Sequence, residues 1–188
     1  AVSKKIKEIS NAQGIYSSID ITGIINRIEE EENISYDIIQ KKAIEEAIFS
    51  KFMVLTGGPG TGKTTTTLGI IKVFQQMGAE VILAAPTGRA AKRLSETTRM
   101  EAKTIHRLLE FKPGEGYKKN PENPLKGDIL IIDESSMIDL LLMHNLLKAI
   151  PVSMNVLLVG DVDQLPSVGA GNVLKDIINS KRIKVIEL

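Results

Sequence analysis

The residues Gly57, Gly58, Pro59, Gly60, Thr61, Gly62, Lys63 and Thr64 form a run whose composition and order suit the binding of a triphosphate. They fit the pattern G-x-x-x-x-G-K-[ST], and they lie between an apolar run and a helical pattern, where such a loop has to sit. Glycines let the backbone wrap an anion and adopt positive φ, so that successive N–H groups point inward at it. A helix opening at Lys63 adds the positive end of its dipole. Lys63 is then placed to reach the β and γ phosphates, Thr64 to ligate Mg²⁺ through its hydroxyl, and Thr65 to extend the same binding set. The expected ligand is ATP with Mg²⁺. A glycine-rich turn that binds nothing is the plain alternative. It gives no reason for a helix to open on Thr64 to Thr67, which are poor helix formers.

Two further polar segments each follow an apolar run. Asp133 and Glu134 come directly after Ile129 to Ile132. In a parallel sheet the carboxyl ends of the strands share one edge, so this pair is expected near the phosphate loop. Asp133 would hold hydrated Mg²⁺ and Glu134 would orient and deprotonate the attacking water. Standing alone, the pair reads as carboxylates opening a helix; beside the loop, the catalytic reading is stronger. The segment Gly160 to Pro166 holds Gln164, whose amide can sense a γ-phosphate or hold the water. Alone it reads as an Asp-rich turn ended by proline.

These residues need a frame. Phe52 to Thr56, Val81 to Ala85, Ile129 to Ile132 and Val156 to Gly160 are short apolar runs bounded by turn residues, and Ile183 to Ile186 is a weaker fifth. Helical patterns over Asp37 to Phe49, Lys63 to Met77, Gly88 to Thr97, Thr104 to Glu110, Ile138 to Ala149 and Gly171 to Asn179 separate them. This alternation predicts a three-layer α/β domain with a mainly parallel five-stranded sheet. Residues 1–33 show only a weak helical pattern from Ile19 through Ile28, read as a short helical tail of a preceding domain and a linker, with the α/β domain at 34–188. Phe111 to Asp128 is too polar and too broken by proline and glycine for a regular element.

Composition narrows the function classes. The chain has 188 residues, 43% hydrophobic and 25% charged, with no cysteine and a net charge of +1. That excludes a disulfide framework or a thiolate metal site. No apolar run approaches the ~18 residues of a membrane span, so a cytoplasmic protein without a membrane partner is expected. Net charge gives no signal for nucleic acid, but between Pro86 and Lys119 nine Lys or Arg stand against four Glu. Such a run is either a solvated face or an electrostatic footprint. With four Phe, three Tyr and no Trp, base stacking is not expected to be prominent.

Taken in order with Ala85 to Ala91 and Thr104 to Leu109, these segments resemble the motifs of superfamily 1 helicases, specifically the RecD-like family that includes the exodeoxyribonuclease V alpha subunit. The resemblance runs from Tyr36 to Leu188, most specifically over Leu55 to Thr67, Ala85 to Ala91, Asp133 to Asp139 and Gly160 to Val173. It implies a P-loop NTPase of RecA-like fold, the first of two motor domains, moving 5′ to 3′ on single-stranded DNA in repair or recombination. It implies that Gln40 contacts adenine, where the residues alone suggest a helix surface. Pro86, Thr87, Arg89, Thr104 and His106 would line the DNA path; without the resemblance His106 reads as a half-buried helix residue. Implied partners are single-stranded DNA, a second motor domain beyond Leu188 and other exodeoxyribonuclease V subunits. The second domain would supply arginines for the transition state, so the chain alone is expected to be a weak ATPase. The helicase part of a conjugative relaxase, and a nucleotide-gated DNA-binding module without motor activity, are the alternatives.

Overall fold

A computed structural model describes residues 2–11, 20–163, 173–180 and 183–188. Two helices come first, α1 (Val2–Asn11) and α2 (Ile21–Glu32), followed by α3 (Ile38–Phe49) and β1 (Phe52–Thr56). The chain continues through α4 (Lys63–Gln76), β2 (Val81–Ala85), α5 (Gly88–Thr98), β3 (Ala102–Thr104) and the single turn α6 (Ile105–Leu108). A small hairpin, β4 (Phe111–Lys112) and β5 (Gly116–Tyr117), precedes β6 (Ile129–Ile132), a 3₁₀ turn (Ser135–Met137) and α7 (Leu140–Ala149). Then come β7 (Asn155–Gly160), α8 (Val173–Asn179) and β8 (Lys184–Glu187).

The main sheet has the order β3-β2-β6-β7-β1-β8, all parallel. It has six strands where five were expected. The extra one is β3, an Ala-Lys-Thr segment with no apolar run to announce it. It forms because the outer edge of β2 offers Leu83, Ala84 and Ala85 as ladder partners.

Alternation along the strands divides the core into two faces. Phe52, Val54, Leu130, Ile132, Val156 and Leu158 point to one side, with α7 and α8 over them. Met53, Leu55, Ile129, Ile131, Leu157 and Val159 point to the other, under α3 and α4. Strands buried on both faces read as continuous apolar runs, which is why they were visible in the sequence. The N-terminal helices join these cores from opposite sides: Ile6 and Ile9 of α1 enter the first, and Ile21, Ile25 and Ile28 of α2 enter the second. Each such isoleucine contributes about 1.5–3 kcal/mol by burial, enough to dock a helix with little intrinsic stability of its own.

Helix ends are fixed by side chains. Asp20, Thr87, Thr104 and Asp139 accept a backbone N–H at the starts of α2, α5, α6 and α7. Asp37 and Gln40 form a reciprocal capping box at the start of α3. The expected helix over Ile138 to Ala149 starts later because Ile138 is extended and Asp139 caps the helix from Leu140. Among the described residues no helix is long and apolar enough to cross a membrane.

One close approach sets the position of α4 against α3. A Cβ on Gly69 would lie 2.7 Å from the Tyr36 hydroxyl and 3.0 Å from Ile44 Cδ1. Overpacking of this kind costs about 1–3 kcal/mol, against which alanine recovers roughly 1 kcal/mol of helix propensity. Gly69→Ala is therefore expected to lower the urea unfolding midpoint, with a net loss of up to about 2 kcal/mol. A midpoint that stays or rises would show that Tyr36 and Ile44 yield freely.

Candidate functional site

The chain leaves β1 at Thr56 and turns through glycines into α4. Gly60 and Gly62 take φ of +74° and +93°, a region that side-chain-bearing residues rarely enter. Gly62 is the N-cap residue of α4 and offers no side-chain hydrogen bond to it. The first-turn N–H groups of a 14-residue helix are therefore left without a side-chain acceptor at the point where an anion suits them. Lys63 Nζ donates to Gly57 O at 2.5 Å and Gly58 O at 2.9 Å, and Thr61 Oγ1 donates to Gly58 O at 2.7 Å. The ammonium thus lies within the curve of the loop. Thr66 and Thr67 return their hydroxyls to Gly62 O and Lys63 O, each at 2.7 Å, which satisfies two buried polar groups in a threonine-rich first turn.

The carboxylates follow β6. Glu134 N donates to Asp133 Oδ1 at 2.8 Å, and Glu134 has left-handed backbone, φ +52°. Such a conformation is costly for a residue with a side chain and concentrates at functional sites. Ser135 Oγ donates to Ile132 O at 2.8 Å, holding the turn against the strand it leaves. Gly160, at the end of β7, lets this turn pack close: a Cβ there would meet Ser136 N at 3.1 Å and Ser135 N at 3.2 Å. Asp161 is buried and accepts from Asp163 N at 2.9 Å.

Loop and carboxylates line one cleft of about 510 Å³ that includes Pro59 to Thr65, Asp133, Glu134 and Asp161 on its walls, with Arg93 from α5. Burial raises the Asp133 carboxyl above its ordinary pKa, while the Glu134 N–H, Lys63 and Arg93 pull the other way. Burial also raises Glu134, helped by the charges of Asp133 and Asp161 and opposed by Arg93 and Lys63. Excess negative charge in a half-desolvated cleft favours a cation. Among the described residues no cluster of three or more His, Asp or Glu forms a protein-only metal cage. Thr64 and Asp133, two hard oxygen donors on one cleft, fit Mg²⁺, which usually keeps waters and takes its remaining ligands from substrate phosphates.

Gln40 is near the loop, but in an unexpected manner. Its Oε1 accepts from Asp37 N at 3.0 Å, and its backbone N donates to Asp37 Oδ1 at 2.8 Å. Its Nε2 faces Gly62, 2.9 Å from the place a Cβ would occupy there. The side chain caps α3 and lies against the loop at Gly62, and its amide oxygen is already used. Gln164 lies outside the described residues.

The residues assigned to a DNA path meet at the same sheet edge. Ala85 pairs with Thr104 in the β2–β3 ladder, so Pro86, Thr87 and Arg89 emerge beside Thr104 and His106. Thr87 Oγ1 accepts from Ala90 N and Thr104 Oγ1 from Arg107 N, both at 3.1 Å. Each hydroxyl caps a helix and keeps its own O–H as a donor. Arg89 and His106 are exposed, so His106 is not the half-buried residue that its pattern alone suggested.

One further expectation needs correction here. The stretch after Phe111 holds a hairpin, because Gly114 and Gly116, at φ +82° and +80°, allow a tight reversal that the polar composition hid. Three rings meet at this hairpin: Phe111 and Tyr117 lie 4.9 Å apart by ring centroid, with His106 at 5.5 Å and 6.2 Å from them. Composition alone missed this ring cluster, because its members meet only through the hairpin. Arg93 and Asp161 were likewise missed as cleft residues. Arg93 could have been found as the residue one helical turn beyond Arg89.

The chain is similar to known proteins. Residues 40–170 match the family described as AAA domain. The chain is 48% identical over 132 residues to the ATP-dependent RecD2 DNA helicase of Deinococcus radiodurans, covering 70% of this chain and 18% of that protein. It is 39% identical over 168 residues to the RecBCD enzyme subunit RecD of Mycobacterium tuberculosis, covering 77% of this chain and 29% of that one. The chain therefore spans less than a third of either relative. Its fold is similar to the crystal structure of the Pif1 helicase from Candida albicans, with a TM-score of 0.57 and 22% identity, over 82% of this chain and 40% of that one.

Proposed function

Since this chain belongs to the AAA domain family and is a RecD-like superfamily 1 helicase motor domain, we propose that it binds Mg·ATP in the cleft between α4 and β6 and uses hydrolysis to move on single-stranded DNA. One observation carries the reading most directly. Lys63, Asp133 and Glu134 share one cleft at the carboxyl edge of the sheet, the edge from which Pro86, Thr87, Arg89, Thr104 and His106 also emerge.

In this reading the N–H groups at the start of α4 and Lys63 bind the β and γ phosphates. Thr64 and Asp133 hold Mg²⁺, which supplies positive charge to the transferring phosphoryl group. Glu134 orients the attacking water and takes its proton. Gln164 reports the γ-phosphate, and Gln40 meets the base through Nε2, the end of its amide not used in capping. The part of the molecule acting as motor is 34–188, with α1 and α2 as the end of a preceding unit. The motor works 5′ to 3′, as a cytoplasmic repair or recombination enzyme, with a second motor domain and, in one setting, the other subunits of exodeoxyribonuclease V. Arginines from that second domain complete the site, and such a group is worth roughly 10³–10⁵ in rate. The 188-residue chain alone accordingly binds ATP but turns it over slowly. A nucleotide-gated module without motor activity is disfavoured by the retention of Lys63, Asp133 and Glu134 together.

The test is steady-state ATP hydrolysis by the full-length protein with and without single-stranded DNA. Marked stimulation by DNA supports the reading, and a rate indifferent to DNA contradicts it. Arg89 gives a sharper check on the DNA face. Each phosphate contact on a single strand contributes about 0.7 to the slope of log affinity against log salt. Arg89→Ala is expected to weaken binding of a deoxythymidine oligomer and to reduce that slope by about 0.7, as read by fluorescence anisotropy across a salt series. An unchanged slope would remove Arg89 from the DNA path.

A further inference from the structure

Arg93 stands between the two halves of the site. It follows Arg89 by four residues on α5, so the two guanidinium groups rise from the same side of the helix. The N-terminal end of α5, with Thr87 and Arg89, faces the proposed DNA path. One turn further on, Arg93 Nη1 lies 3.9 Å from Glu134 Oε1. The other charged groups facing Glu134 are Asp133 beyond β6, Lys63 on α4 and Asp161 beyond β7. The Arg93 side chain is 66% exposed and that of Glu134 25%. An ion pair this open adds little to stability. It is poorly suited to hold the fold together and well suited to release when another anion competes for the guanidinium.

We infer that Arg93 is a positioning residue that restrains Glu134 until DNA is bound. In the absence of a strand, the guanidinium holds the Glu134 carboxylate toward α5 and away from the water it must activate. A DNA phosphate at the N-terminal end of α5 draws Arg93 toward itself, and Glu134 is freed. The strand shifts the balance because it contacts Arg93 only in the released arrangement, which is the differential affinity that any such shift requires. This inference rests on the motor reading above.

The experiment compares ATP hydrolysis by the full-length protein, wild type, Arg93→Ala and Arg93→Lys, with and without a saturating deoxythymidine oligomer. Arg93→Ala is expected to raise the DNA-free kcat by about two- to fivefold, the range an exposed ion pair can supply. The DNA-saturated kcat and the KM for ATP change less, so stimulation by DNA shrinks. Arg93→Lys, which keeps the charge, returns the DNA-free rate toward the wild-type value. Equal loss of both rates, or a raised KM for ATP, would overturn the inference and make Arg93 a cation for the phosphates. Two unchanged rates would overturn it as well and leave the pair without a role. A wild-type enzyme that DNA does not stimulate would fall outside these patterns and would refute the motor reading itself.

Discussion

Lys63→Ala is expected to reduce ATP turnover by a factor on the order of 10²–10³, the usual effect of removing one preorganised donor to a developing anion. Two losses combine. The phosphates lose their direct ammonium contact, and the loop loses the group that joins Gly57 O to Gly58 O. The second loss is local, because charge-assisted hydrogen bonds contribute about 1.5–3 kcal/mol each while the sheet beneath is held by two separate apolar cores. The variant should therefore still fold, with a thermal midpoint below that of wild type, yet bind a fluorescent ATP analogue weakly and hydrolyse little. Wild-type turnover in a folded Lys63→Ala protein would contradict the assignment of the loop as the phosphate site.

Glu134→Gln separates binding from chemistry. The replacement keeps shape and hydrogen bonding but removes the ability to accept a proton, and loss of a positioned general base typically costs 10²–10⁴ in rate, as an order of magnitude. ATP binding is expected to persist or to tighten. Glu134 shares its cleft with Asp133 and Asp161, and a neutral amide there reduces the negative charge that a triphosphate must meet. Equilibrium binding of the nucleotide and single-turnover hydrolysis, measured side by side, check both halves. A large loss of affinity with a retained single-turnover rate would place Glu134 in binding rather than catalysis.

The features that were legible in the sequence share a physical cause. The loop from Gly57 to Thr64 is contiguous, and its flanks, β1 and α4, are strongly patterned, so motif and frame could be read together. The strands β1, β2 and β6 have the bounds expected of them because each is a buried run ended by turn residues. The residues proposed for a DNA path were legible only as separate segments; it took the pairing of Ala85 with Thr104 to bring them together.

Other features depend on partners distant in sequence. Ala102 to Thr104 has no strand pattern of its own and is held by the β2 edge. The cluster of His106, Phe111 and Tyr117 depends on a hairpin only two residues long on each side. Arg93 looked like one charge in a basic run because its partner, Glu134, is 41 residues away in the chain. One miss was avoidable. Asp37 and Gln40 have the spacing of a capping box, so the structural duty of Gln40 was readable before its place beside Gly62 was known.

The central claim is that this cleft drives movement along DNA, and strand displacement tests it most directly. Full-length protein is mixed with partial duplexes carrying either a 5′ or a 3′ single-stranded overhang, with ATP and Mg²⁺, and release of the shorter strand is followed over time. The account predicts ATP-dependent release from the 5′-overhang substrate, little from the 3′-overhang substrate, and none with Lys63→Ala. Release without ATP, or at an undiminished rate with Lys63→Ala, would contradict it.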